Sequence, residues 1–198
     1  MARFILASQS PRRRELLSQI GVGDFTILVP EADESFDPAL SPQEIVCSIC
    51  RRKAEAASAL AGDDEAIIIA ADTMVFLDGL RLGKPTDEAD AARMLRSLSG
   101  RTHEVCTGVS IVRGDQIVTE AETTSVTFRH LTDEEIAAYI STGDPMDKAG
   151  SYGIQGRPAL FVSGIVGDYF NVMGLPLHRL GQMLGQFGVD LFNREALS

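Results

Sequence analysis

Residues 66–71, Ala-Ile-Ile-Ile-Ala-Ala, constrain the fold of this chain more than any other stretch. A strand with one wet face alternates apolar and polar residues. This run does not alternate and is rich in β-branched side chains, so it reads as a strand buried on both faces. Such a strand needs cover above and below, which points to helices packed on a sheet. Asp72 follows at once and is predicted to end the strand. Met74 to Leu82 then reads as a hairpin turning at Asp78-Gly79, a dipeptide suited to positive φ.

The remaining elements fit around this strand. Arg3 to Ala7 reads as a first strand, and Pro11 opens a helix running to about Ile20. Thr26 to Val29 is a short strand, followed by an acidic loop from Glu31 to Leu40. Ser41-Pro42-Gln43-Glu44 is a capping box, so a helix is predicted to run to about Leu60 and stop at Gly62. Its apolar stripe is Ile45, Val46, Ile49, Ala56 and Leu60, with Lys53 on the same side. A lysine there is costly unless its ammonium reaches an anion or a cleft.

Pro85 to Leu98 reads as a helix with Ala91, Met94, Leu95 and Leu98 on one face. His103 to Val112 and Gln116 to Arg129 read as strands joined at Gly114-Asp115. A second capping box, Thr132 to Glu135, opens a helix to about Ser141. Gly143 to Pro158 is a glycine-rich loop; Leu160 to Val166 and Tyr169 to Val172 read as strands; Pro176 to Phe187 reads as an amphipathic helix. This order predicts an α/β protein with a mixed sheet, flanking helices and a cleft. No repeat and no clear linker interrupts the 198 residues, a length that fits one large domain or two small lobes.

Composition narrows the function. The formal net charge of −10 repels a polyanion at long range and argues against bulk nucleic-acid binding. The most apolar run is too short to span a bilayer, and the N-terminus lacks the pattern of a secretory signal. Three cysteines, Cys47, Cys50 and Cys106, suggest a reducing compartment. The Cys47-x-x-Cys50 pair lies in a helical pattern and reads as structural. His103, His130 and His178 lack metal-ligand spacing.

Four loops carry charge that needs a reason. Ser8 to Arg14 joins a strand to a helix N-terminus, where open backbone N–H groups and the helix dipole favour an anion. Arg12, Arg13 and Arg14 are unfavourable in that first turn for the helix itself, so they either face an anion such as a phosphate or form a solvated basic patch. Asp72, with Thr73 after it, is either a turn residue or a catalytic or metal-binding carboxylate, and Lys84 adds a cation close by in sequence. Glu31 to Glu34 is either a solvated acidic loop or a source of oxygen ligands for Mg²⁺ or Mn²⁺. Residues 147–156 are either a flexible surface loop or a segment whose glycines allow close approach and whose Gln155 amide offers both a donor and an acceptor to a base edge.

Taken in order, these residues resemble the Maf family. The carriers are Leu6 to Leu17, Asp33-Glu34, Lys53-Ala54, Ala71-Asp72-Thr73, Gly83-Lys84-Pro85, Thr107-Gly108-Val109, Asp147-Lys148-Ala149-Gly150, Gln155-Gly156 and Gly174-Leu175-Pro176-Leu177. The resemblance covers nearly the whole chain. It implies a single pyrophosphatase domain over 1–198 with two lobes around a cleft, of the kind found in inosine-triphosphate pyrophosphatases. It implies hydrolysis of a nucleoside triphosphate to the monophosphate and pyrophosphate, a divalent cation (Mg²⁺ or Mn²⁺), a cytoplasmic location and a homodimer.

The resemblance also suggests roles. Asp72 is the expected proton acceptor, or mainly a metal ligand with Glu34. Ser8, Arg12, Arg13, Lys53 and Lys84 are expected to hold the substrate, and Arg12, Thr73 and Gln155 to select the base. Members acting on dTTP and UTP carry Arg, Thr and Gln at these last three places. Those resembling 7-methyl-GTP pyrophosphatases tend to carry Trp, Gln and Glu. The chain therefore sides with the pyrimidine branch. Its alternatives are pyrophosphatase action on 7-methyl-GTP or another modified nucleotide, or nucleotide sensing in septum formation without turnover. One departure is Gly143-Asp144-Pro145, where many members have Gly-Glu-Pro.

Overall fold

The computed structural model describes residues 3–193. Along the chain run β1 (Phe4–Leu6), α1 (Pro11–Gln19), β2 (Phe25–Ile27), α2 (Pro42–Ala61), β3 (Ile67–Leu77), β4 (Leu80–Leu82) and α3 (Glu88–Leu98). They are followed by β5 (Thr102–Arg113), β6 (Gln116–Phe128), α4 (Asp133–Ile140), β7 (Val162–Val166), α5 (Tyr169–Met173) and α6 (Leu177–Gln186). The strands form one mixed seven-stranded sheet in the order β2-β1-β3-β5-β6-β7, with β4 paired to β3. β1 is parallel to both β2 and β3, while β4 and β7 are antiparallel to β3 and β6. The predicted α/β class with a mixed sheet and flanking helices is what the chain adopts.

The described residues form two compact units: residues 3–72 with Thr107–Glu122 and residues 174–193, and Thr73–Cys106 with Thr123–Met173. In the first, α2 presents Ala54 and Ala57 to Ile5, Ile68 and Val112. Small residues on the helix let it lie close to the strands. The closest approach is at Gly108, where a Cβ would stand 2.5 Å from the Val46 carbonyl oxygen. In the second unit α3 and α4 bury Leu95, Leu98, Ile136 and Tyr139 against Val126, Phe128 and Phe161. Among the described residues no helix is long and apolar enough to cross a membrane.

The predicted capping boxes form at Ser41/Glu44 and Thr132/Glu135, and the hairpin turns at Asp78 and Gly79 with φ of 52° and 78°. Several expectations need correction. Asp72 does not end its strand, because β3 runs unbroken from Ile67 to Leu77. A carboxylate is tolerated inside this strand because a lysine pairs with it. α3 begins at Glu88 rather than Pro85, since the Asp87 side chain accepts from Asp90 N–H and fixes the start there. Tyr169 to Val172 is helical, not a strand: Asp168 Oδ1 accepts from Phe170 N–H and turns the chain into α5. On α2 the buried side is Ile45, Val46, Ile49, Cys50, Ala54 and Ala57, while Leu60 is exposed.

Candidate active site

In the first unit, the loop after β1 is fixed from both ends. Ala7 N–H donates to Ile69 O at 2.8 Å, which extends the β1–β3 ladder by one step. Ser8 is buried, and its Oγ accepts from Ser10 N–H at 3.2 Å and from Arg13 Nη1 at 3.1 Å. Pro11 at the first helical position and Ser10 as N-cap then start α1. No acidic residue occupies its first turn, so its dipole is left to act on an anion.

The three arginines of that turn do different things. Arg13 donates through Nε to Gly174 O at 2.8 Å, tying the loop to the segment that leads into α6. Burial pushes its guanidinium pKa below its ordinary value; Asp72 is the strongest opposing influence, with Glu34 adding to it. Arg14 folds back to donate to Gln9 O at 3.1 Å. Arg12 remains partly exposed on α1. The sequence suggests three arginines turned towards an anion, whereas two of them also hold their own loop in place.

Lys53 forms the centre of the unit's charged cluster. Its Nζ donates to Asp72 Oδ1 at 2.7 Å and lies 2.7 Å from Glu34 Oε1. The Lys53 side chain is 18% exposed, Asp72 13% and Glu34 61%. The pair with Asp72 is therefore largely shielded, while Glu34 approaches from solvent. Arg52, one residue earlier, secures the acidic loop by binding Asp33 Oδ2 at 3.1 Å. One ammonium thus faces two carboxylates, which leaves the cluster net negative and open on the Glu34 side. On the next inward turn of α2, burial raises the Cys50 thiol pKa well above its usual range, and it raises that of Cys47 too. Neither thiol is activated, in keeping with a structural Cys-x-x-Cys.

Glu34 and Asp72 are the residues that fit a divalent cation. Their oxygens converge on one positive centre, the Lys53 ammonium, and hard oxygen donors suit Mg²⁺ or Mn²⁺. Among the described residues no group of three or more His, Cys, Asp or Glu side chains is gathered for a metal. Mg²⁺ commonly takes only one or two carboxylates and completes its shell with water and substrate phosphate.

In the second unit, Thr73 is half-buried on β3, and Lys84 is exposed in the loop before α3. The glycine-rich segment is built of short 3₁₀ turns, Asp144–Asp147 and Ala149–Ser151, rather than a loose loop. Its Gly150 N–H donates to Gly83 O at 3.0 Å, which links it to the loop carrying Lys84. Asp144 is exposed, and its carbonyl accepts from Lys148 Nζ, which also pairs with Asp147 at 2.6 Å. Gln155 is exposed. Sequence reasoning gave no role to Lys148, whose partners are its neighbour Asp147 and the Asp144 carbonyl, or to the buried His103–Tyr152 pair, whose members are 49 residues apart.

A family model described as Maf-like protein matches residues 3–187. The dTTP/UTP pyrophosphatase of Symbiobacterium thermophilum is 53% identical over 192 residues, covering 97% of both chains. That of Moorella thermoacetica is 53% identical over 197 residues, covering 98% of this chain and 100% of the relative. That of Bacillus cereus is 50% identical over 191 residues, covering 96% of this chain and 98% of the relative. The solved structure of a HAM1 protein from Coxiella burnetii superposes with a TM-score of 0.56 at 13% identity, over 94% of this chain and 100% of that one. This last likeness shows a shared fold.

Proposed function

The chain belongs to the family of Maf-like proteins, and we propose that it hydrolyses nucleoside triphosphates, dTTP and UTP above others, to the monophosphate and pyrophosphate. The observation that carries the reading is the shielded Lys53–Asp72 pair with Glu34 at its open side, within electrostatic reach of Arg13.

Water attacks the α-phosphorus and pyrophosphate leaves. The transition state is rich in negative charge, so positioning and electrostatics supply most of the acceleration. Asp72 is the group suited to accept the proton of the attacking water, because Lys53 holds its carboxylate in one orientation. Arg12, Arg13, Lys53 and Lys84 are the cations for the triphosphate, Arg by paired hydrogen bonds and Lys as a point charge. Ser8, already aligned by Arg13, adds a hydroxyl. Glu34 and Asp72 would hold a divalent cation, which when bound neutralises charge on the triphosphate.

Arg12, Thr73 and Gln155 set base choice in this reading, since polar groups left unpaired by a wrong base disfavour it. We read residues 1–198 as one such domain, acting in the cytoplasm and as a homodimer. Asp72→Asn keeps the shape of the side chain and removes its basicity. We expect kcat to fall by about a hundredfold or more, with KM changed by no more than about threefold. A variant turning over at the wild-type rate would remove Asp72 from this role.

A further inference from the structure

The backbone that presents Glu34 is fixed without help from Lys53. Asp33 accepts from Ser35 N–H at 2.8 Å and from Ser35 Oγ at 2.6 Å, closing a tight turn around Glu34. Arg52 on α2 binds this turn on both sides of Glu34, donating to Asp33 Oδ2 at 3.1 Å and to the Ser35 carbonyl. Asp72 is set by its place in β3, which continues unbroken on either side of it. The two carboxylates are thus brought together by Arg52 and by the sheet. What Lys53 adds between them is charge.

That charge occupies contested ground. Lys53 Nζ lies 2.7 Å from Asp72 Oδ1 and 2.7 Å from Glu34 Oε1. An ammonium only donates, so it draws on the same oxygens and the same negative potential that a hard divalent cation needs. A cation taking these two oxygens must displace the ammonium. One taking the other oxygen of each carboxylate must settle beside a full positive charge. Either way the lysine costs the cation affinity. The lysine is nonetheless required when no cation is bound, because Asp72 is only 13% exposed and a shielded carboxylate without a counter-ion is destabilising.

We propose that Lys53 is an internal counter-ion that competes with the divalent cation for Glu34 and Asp72 in the nucleotide-free protein. This rests on the reading of Glu34 and Asp72 as metal ligands given above. A lysine that instead organised the two carboxylates for the metal would have the opposite effect when removed. The test is the dissociation constant of Mn²⁺ for the nucleotide-free protein, read from the electron paramagnetic resonance signal of free Mn²⁺. Lys53→Gln keeps an N–H for Asp72 and removes the charge, so Mn²⁺ is expected to bind about tenfold tighter than in the wild type. Mn²⁺ should also raise the Tm of this variant more than that of the wild type. Lys53→Arg keeps the charge and should stay within about threefold of the wild type. Lys53→Met carries the same expectation as Lys53→Gln, so the test stands if one variant does not fold. Glu34→Gln should weaken Mn²⁺ binding about tenfold. Unchanged or weaker binding in the two uncharged Lys53 variants, with binding weakened in Glu34→Gln, overturns the competition and leaves the metal site standing. Binding that Glu34→Gln does not weaken overturns the metal site and the competition with it.

Discussion

At the scale of single residues, the chain gathers opposite charges rather than segregating them. Lys53 was legible in the sequence because a lysine on the apolar side of a helix demands an anion. Its two partners were not, since Glu34 and Asp72 reach it from other parts of the chain. The position of Asp72 was misjudged for a related reason. A carboxylate inside a buried strand looks like a strand end until its counter-ion is known. Glu34 is far more exposed than Asp72, so it exchanges Lys53 for solvent more readily. Glu34→Gln should therefore raise the Mg²⁺ concentration for half-maximal activity by about tenfold, with the fold retained. A metal titration of pyrophosphate release measures this; an unmoved midpoint would take Glu34 out of the metal site.

At the scale of elements, local signals were legible wherever the backbone itself carries them. Both capping boxes, the Asp78-Gly79 turn and the doubly buried run of Ile67 to Ile69 are of this kind. The misread elements depend on a neighbour. Tyr169 to Val172 has the composition of a strand, but one hydrogen bond to Asp168 turns it helical. The place of α2 in the candidate site depends on Gly108, because only a residue without a side chain lets the strand lie under Val46. Gly108→Ala puts a methyl group against backbone that cannot yield, so it should cost about 2–3 kcal/mol. Denaturant unfolding tests this, and a loss below about 0.5 kcal/mol would mean that the helix shifts at no cost.

For the molecule as a whole, the acidic balance argues against bulk nucleic-acid binding, while a few basic residues near one helix start point to a small anion. The segment that carries Gln155 was the least legible part. Its glycines suggested flexibility, yet buried contacts with α3, β3 and β5 hold it. The same burial sets an acid limit. Desolvation lowers the His103 pKa from 6.5 to about 4. Below pH 6.5 the unfolded chain binds a proton that the folded one refuses, so stability is lost as pH falls from 6.5 towards about 4. The loss approaches about 1.4 kcal/mol per pH unit in that window. Unfolding free energies at pH 7 and pH 5 should differ less in His103→Gln than in the wild type; equal differences would refute the titration of His103. The central claim is tested most directly by pyrophosphate release from dTTP, UTP, CTP, GTP, ITP and 7-methyl-GTP, with Mg²⁺ and with Mn²⁺, using Asp72→Asn as the control. The account predicts fast release from dTTP and UTP that the variant loses. Release from 7-methyl-GTP or ITP alone would contradict the base assignment, and silence across the panel with tight nucleotide binding would contradict the catalytic one.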